Sequence, residues 1–155
     1  MSKRKILLVE DEEHKINDLS RRISASTLSN AELTVAKSVR DAIRDVMQFK
    51  YDIVILDMAL PTFTKEKKSG ETGGLAQASG GIEVIRMMQK IKQAASIIIV
   101  TQYPDIFISG QLIKLKKIKD TLRQRYEVDV AGVVLYSYES QEWMSSFDNL
   151  LEKSQ

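Results

Sequence analysis

Four short runs of unbroken apolar residues constrain this chain more than anything else in it. They are Lys5-Ile-Leu-Leu-Val9, Ile53-Val-Ile-Leu56, Ile97-Ile-Ile-Val100 and Val133-Val-Leu135. Each is too short for a helix and rich in β-branched residues. Apolarity without alternation means that both faces of a strand are buried, the condition of a parallel sheet covered by helices. Leu33-Thr-Val-Ala36 reads as a weaker strand at an edge. Amphipathic stretches separate the runs. Their faces are marked by Ile16, Leu19 and Ile23; by Ala42, Ile43, Val46 and Met47; by Ile82, Ile85, Met88 and Ile91; by Leu112, Leu115, Leu122 and Tyr126; and by Trp143, Phe147, Leu150 and Leu151. Ser38 and Ser140 stand where the second and fifth helices need N-caps. Five strand–helix units predict an α/β domain with a parallel sheet and helices on both faces.

Composition narrows the chemistry. The 155 residues form one domain of ordinary size. Cysteine is absent and histidine occurs once, as His14. That excludes disulfides, thiolate metal sites and a cysteine nucleophile, and makes a zinc site mostly carboxylate. His14 reads as a surface residue. The apolar runs are too short to span a bilayer or to serve as a signal peptide, so no membrane insertion is expected and the protein is read as cytoplasmic.

Open parallel sheets bind ligands beyond the carboxyl ends of their strands. There the chain places Glu10-Asp11-Glu12-Glu13 after the first run, Asp57 after the third, Thr101 after the fourth and Tyr136 near the end of the fifth. If the first and third strands are neighbours, Glu10, Asp11 and Asp57 converge. Three clustered carboxylates repel one another unless a cation neutralises them, and an oxygen-only donor set with open water positions suits Mg2+. A carboxylate beside such an ion can attack phosphorus, and the Thr101 hydroxyl can donate to a phosphoryl oxygen. Glu12 and Glu13 are read as acids favouring a helix N-terminus.

These residues carry a resemblance. The stretch Lys5-Ile-Leu-Leu-Val-Glu-Asp-Glu12, the stretch Asp52-Ile-Val-Ile-Leu-Asp-Met-Ala-Leu-Pro61 and Ile97-Ile-Ile-Val-Thr101 are similar to the motifs of the response-regulator receiver domains of two-component signalling. The resemblance implies a flavodoxin-like, five-stranded parallel sheet in the order 2-1-3-4-5. It implies Mg2+ on Glu10, Asp11, Asp57 and the Ala59 backbone carbonyl, a phosphoryl group on Asp57 and a hydroxyl contact from Thr101. It also implies a sensor histidine kinase or phosphotransfer protein as donor and an effector protein downstream. No enzymatic activity follows beyond self-catalysed phosphoryl transfer and autodephosphorylation.

The second half departs from the family. Tyr136 stands at the usual strand-five Lys, Ser137 at the following Pro, Val133 at the aromatic switch position and Gln102 where a small residue is usual. A neutral phenol offers an ordinary donor in place of a charge-assisted one. A weak response of the face made by the fourth helix, fifth strand and fifth helix is therefore expected. A large one would need Tyr136, or a lysine borrowed from the 62–80 loop, to supply the missing charge. The competing reading is a pseudo-receiver that binds partners without phosphorylation. The 62–80 segment, polar and rich in Gly and Lys, reads as a long loop open to proteolysis at Lys65, Lys67 or Lys68. The 105–126 region reads as an extended fourth helix. Its Lys114, Lys116, Lys117, Lys119, Arg123 and Arg125 form a solvated face.

Other classes fit less well. A haloacid-dehalogenase-type phosphatase needs a second Asp where Ala59 stands, and a Toprim nuclease needs an Asp-x-Asp that Asp57 does not begin. A nucleotide-binding turn would be Gly-rich where this chain is acidic. Direct nucleic-acid binding is disfavoured by a net charge of only +2 and by the lack of a DNA-binding domain after Gln155.

Overall fold

The computed structural model describes residues 3–61, 76–77 and 80–155. Five parallel strands form one sheet: β1 (Lys5–Val9), β2 (Glu32–Ala36), β3 (Ile53–Leu56), β4 (Ser96–Thr101) and β5 (Gly132–Leu135). Their order is 2-1-3-4-5, with β2 at an edge. Leu8 is in register with Val35 on one side and Ile55 on the other, and Ile55 with Ile98. The unbroken apolar runs are explained by what covers them. Leu7, Val9, Val54, Leu56, Ile97 and Ile99 face helices α2 (Val39–Gln48), α3 (Gly80–Lys90) and α4 (Leu115–Tyr126). Ile6, Leu8, Ile53, Ile55, Ile98 and Val100 face α1 (Glu13–Ser24) and α5 (Glu142–Lys153). Each fully buried Leu or Ile contributes about 1.5–3 kcal/mol, so the central strands anchor the fold. None of the described helices is long and apolar enough to cross a membrane.

The helix starts follow local chemistry. Ser38 caps α2 by accepting from the Asp41 amide at 3.1 Å. At α5 the N-cap is Gln141, one residue later than expected. Ser140 still accepts from the Glu142 amide at 3.2 Å.

The 105–126 region differs from a single long helix. Asp105–Ile108 and Gln111–Lys114 form an antiparallel ribbon, and α4 begins only at Leu115. The ribbon turns through Ser109 and Gly110, whose φ angles are 51° and 77°. Two successive positive φ values make the tight hairpin turn that suits strand twist, and glycine takes that conformation without penalty. Ile106 and Ile108 are buried against the core while Phe107 and Leu112 face outward. Leu112 thus belongs to a strand, not to a helical stripe. The basic residues of this region are exposed, as a solvated face requires.

The expectation of a long loop at 62–80 falls almost entirely outside the described residues. At its ends, Leu60–Pro61 pairs antiparallel with Ala76–Gln77, and Gly80 opens α3.

Candidate functional site

The site lies where β1 and β3 end. The backbone amides of Glu10 and Asp57 continue the sheet, donating to Ala36 O and Val9 O at 3.0 Å each. Strand pairing thus delivers the two acids to the same rim. The Glu10 carboxylate is folded back on its own chain: Oε1 accepts from the Asp11 and Glu12 amides, both at 3.1 Å. Its other oxygen, Oε2, is buried and accepts no well-aligned hydrogen bond. On Asp57, Oδ1 accepts from the Ala59 amide at 3.3 Å. Oxygens of Glu10, Asp11 and Asp57 all lie within 4.8 Å of one another, with Glu10 and Asp57 buried and Asp11 exposed.

The turn after β3 is pinned by α3. The Gly81 amide donates to Met58 O at 2.9 Å. A Cβ at Gly81 would lie 2.7 Å from Asp57 O and 2.9 Å from Met58 Cα. Glycine is required here for close approach, and that approach fixes the backbone carrying Asp57.

The residue that composition and motif reading passed over is Lys15. It is fully buried. Its ammonium sits 2.6 Å from Glu10 Oε2 and 3.3 Å from Asp57 Oδ2, and donates to Val100 O and to Gln102 Oε1, both at 3.0 Å. Burying an ammonium costs several kcal/mol unless charge and hydrogen bonds offset it. Here two carboxylates and two neutral acceptors do so. Gln102 in turn donates through Nε2 to Glu12 Oε1 at 3.2 Å. The unusual bulk at position 102 therefore has a job: it orients the lysine. A signal for Lys15 was present in the sequence. Positions 15, 19 and 23 share a helical face, so a lysine sits in line with buried Leu19 and Ile23.

Tyr136 is buried, but its hydroxyl points away from the acids. It donates to Asp18 Oδ2 at 2.6 Å, while its ring lies 5.6 Å from the Lys15 ammonium. That is cation–π distance, and the contact further favours the buried charge. The phenol pKa is pushed upward, first by burial and then by the Asp18 carboxylate. Thr101 is fully buried at the end of β4; its hydroxyl accepts from the Tyr103 amide at 3.2 Å. His14 is half exposed and stacks edge-on against Tyr138.

Electrostatics follow from this packing. Burial raises the Glu10 pKa to about 8, helped by the Asp57 charge and opposed by Lys15. Asp57 is raised too, mainly by burial, with Lys15 again opposing. With Glu10 ionised, three carboxylates against one ammonium would leave two formal negative charges at the rim, so a divalent cation would displace the Glu10 proton as it bound. The donor set fits such an ion: all oxygens, with one exposed carboxylate open to water beside two buried carboxylates whose nearest cation is Lys15.

A five-stranded 2-1-3-4-5 sheet with an acidic rim at β1 and β3 defines a receiver, and the chain belongs to the response-regulator family of two-component signalling. It is 30% identical over 122 residues to the Detocs response regulatory protein DtcB of Vibrio alginolyticus, a match covering 78% of this chain and 80% of that protein. Among solved structures, the signal receiver domain of an HD domain-containing protein from Pseudomonas fluorescens superposes with a TM-score of 0.64. That pair shares 18% identity over 99% of this chain and 94% of the other. The response regulator TrrA of Thermotoga maritima, solved with Mg2+ and a beryllofluoride group, superposes with a TM-score of 0.58. It shares 22% identity over 95% of this chain and 98% of its own. At these identities the two structures speak for the fold. No family model matches the chain.

Proposed function

We propose that the protein accepts a phosphoryl group on Asp57 from the phosphohistidine of a sensor kinase or phosphotransfer protein, and passes the signal to an effector protein. The observation that carries this reading is the convergence of Glu10, Asp11 and Asp57 within 4.8 Å, with Asp57 buried at the rim and its carboxylate held on both oxygens. An Asp57 oxygen forms the new O–P bond. The P–N bond to the donor imidazole breaks, and its electron pair stays on the ring nitrogen. Glu10, Asp11, Asp57 and the Ala59 carbonyl would hold Mg2+, which would neutralise charge on the transferring oxygens. A Mg2+–beryllofluoride complex of TrrA supports the assignment of the ion. The Thr101 hydroxyl, which accepts from the Tyr103 amide, would use its own hydrogen to donate to a phosphoryl oxygen.

A second reading has an observation of its own. Because Lys15 already offsets the charge of Glu10 and Asp57, the fold tolerates its acids without a metal ion, as a pseudo-receiver that takes up no phosphoryl group would need. One experiment separates the two. The protein is incubated with acetyl phosphate and Mg2+, and its intact mass is measured. A single added phosphoryl mass, absent from Asp57→Asn, is the expected result. An unchanged mass would establish the pseudo-receiver.

A further inference from the structure

Strand five carries no cation at the site. The position at its end holds Tyr136, and that hydroxyl is committed to Asp18. A buried cation is nevertheless in place, and it comes from the first turn of α1. Lys15 reaches the acids beside the end of β4, where it also meets Val100 O. Its ammonium has four polar neighbours: Glu10 Oε2, Asp57 Oδ2, Val100 O and Gln102 Oε1. Two of these are fixed. Val100 O belongs to the central sheet, and Gln102 is itself held by Glu12. The other two are the acids whose charge would change when a phosphoryl group and its metal arrive.

We infer that Lys15 is the phosphoryl-contacting cation of this protein, delivered by α1 in place of strand five, and that phosphorylation is therefore registered on α1 and Gln102. The inference rests on Asp57 as the phosphoryl acceptor. Phosphorylation converts the Asp57 carboxylate into an acyl phosphate bearing a dianionic phosphoryl group. An ammonium 3.3 Å from Oδ2 is already within a small side-chain adjustment of its oxygens. Glu10, as a ligand of the metal, would no longer need the lysine, so Lys15 would be free to leave Glu10 for the phosphoryl group. The side chain is fully buried, so water neither screens the contact nor competes for it. Movement of Lys15 toward the phosphoryl group strains its hydrogen bond to the anchored Gln102, which directly follows Thr101. The lysine and the hydroxyl thus act on the same short segment.

The test begins with the wild-type protein, crystallised with Mg2+ and beryllofluoride. The expected result is Lys15 Nζ within hydrogen-bonding distance of a fluorine on Asp57, with the Glu10 contact broken. An ammonium still on Glu10 beside a beryllofluoride-bearing Asp57 would overturn the inference and leave Asp57 as the acceptor. A mimic that does not add to Asp57, together with no uptake from acetyl phosphate, would overturn both. The second arm uses variants whose folding is checked by circular dichroism. Lys15→Met should slow phosphorylation by acetyl phosphate about tenfold or more, the order of one charge-assisted hydrogen bond. The double variant Lys15→Met/Tyr136→Lys should recover most of that loss by returning the cation to strand five. Equal rates in wild type and a folded Lys15→Met would overturn the inference. If Lys15→Met fails to fold, the crystallographic arm decides alone.

Discussion

The Tyr136 hydroxyl donates to Asp18 Oδ2 at 2.6 Å and so closes the end of β5 against α1. The bond is made by a buried phenol to a partly buried carboxylate. Removing it with Tyr136→Phe keeps the ring and its packing on Trp143, whose centroid is 4.9 Å away. The expected cost is about 1.5–3 kcal/mol, the range for a hydrogen bond to a charged group. Urea denaturation at pH 7 checks it, and the midpoint should fall with the slope unchanged.

Mg2+ should stabilise the folded protein by mass action, because the unfolded chain does not assemble the three carboxylates. A thermal melt in millimolar Mg2+ should show a higher midpoint than one in chelator. Asp57→Asn should shrink the difference. Identical midpoints at every Mg2+ concentration would remove the ion from the site.

The raised pKa of Glu10 makes a pH prediction with a definite sign. Its ordinary value is 4.5, and in the metal-free fold it rises to about 8. Between these values the folded state holds a proton that the unfolded state has released. Stability therefore falls as pH rises through that window. Glu10→Gln should flatten this part of the stability–pH curve. Mg2+ must displace the same proton, so its affinity should increase from pH 6 to pH 8 with measurable proton release.

Gly81→Ala should be costly although α3 would otherwise welcome alanine. The new Cβ meets backbone at 2.7 and 2.9 Å, which forces the turn carrying Asp57 to shift. A loss of about 1–3 kcal/mol is expected from such overpacking. Slower uptake of phosphoryl groups should accompany it. A variant with wild-type stability and wild-type uptake would show that this turn yields freely.

The parallel sheet was legible because the central strands are buried on both faces, and apolar runs such as Ile53-Val-Ile-Leu56 have no other use at that length, whereas the strand order followed only from the resemblance to receiver domains. The acid rim was legible because Glu10 and Asp57 directly follow such runs, so strand pairing alone brings them together. The 105–114 ribbon was not, although Ser109-Gly110 is a hairpin turn signal. Leu112 stands at helical spacing from Leu115, Leu122 and Tyr126 and so reads as part of their stripe, and only the turn chemistry separates the two. Lys15 was hidden for a different reason. Its place in line with Leu19 and Ile23 was a signal, but a lysine at the end of a helical stripe ordinarily turns its ammonium to solvent, and the acid pocket is what holds this one inward.

Lys15, Asp18 and Arg22 lie at spacings of three and four along α1, and so on one side of the rod. Their partners belong to three different elements: Val100 of β4, Tyr136 beyond β5, and Asp148 of α5, which the Arg22 Nε meets at 3.0 Å. Burial grades along the series, from a lysine with no exposed surface to an arginine whose side chain is 32% exposed. Seven residues of helix span roughly 10 Å. Turning or sliding α1 cannot lengthen one of these bonds and spare the others. The helix is consequently geared to the pocket at its deep end and to an outward ion pair two turns away, so strain applied at either end is presented at the other.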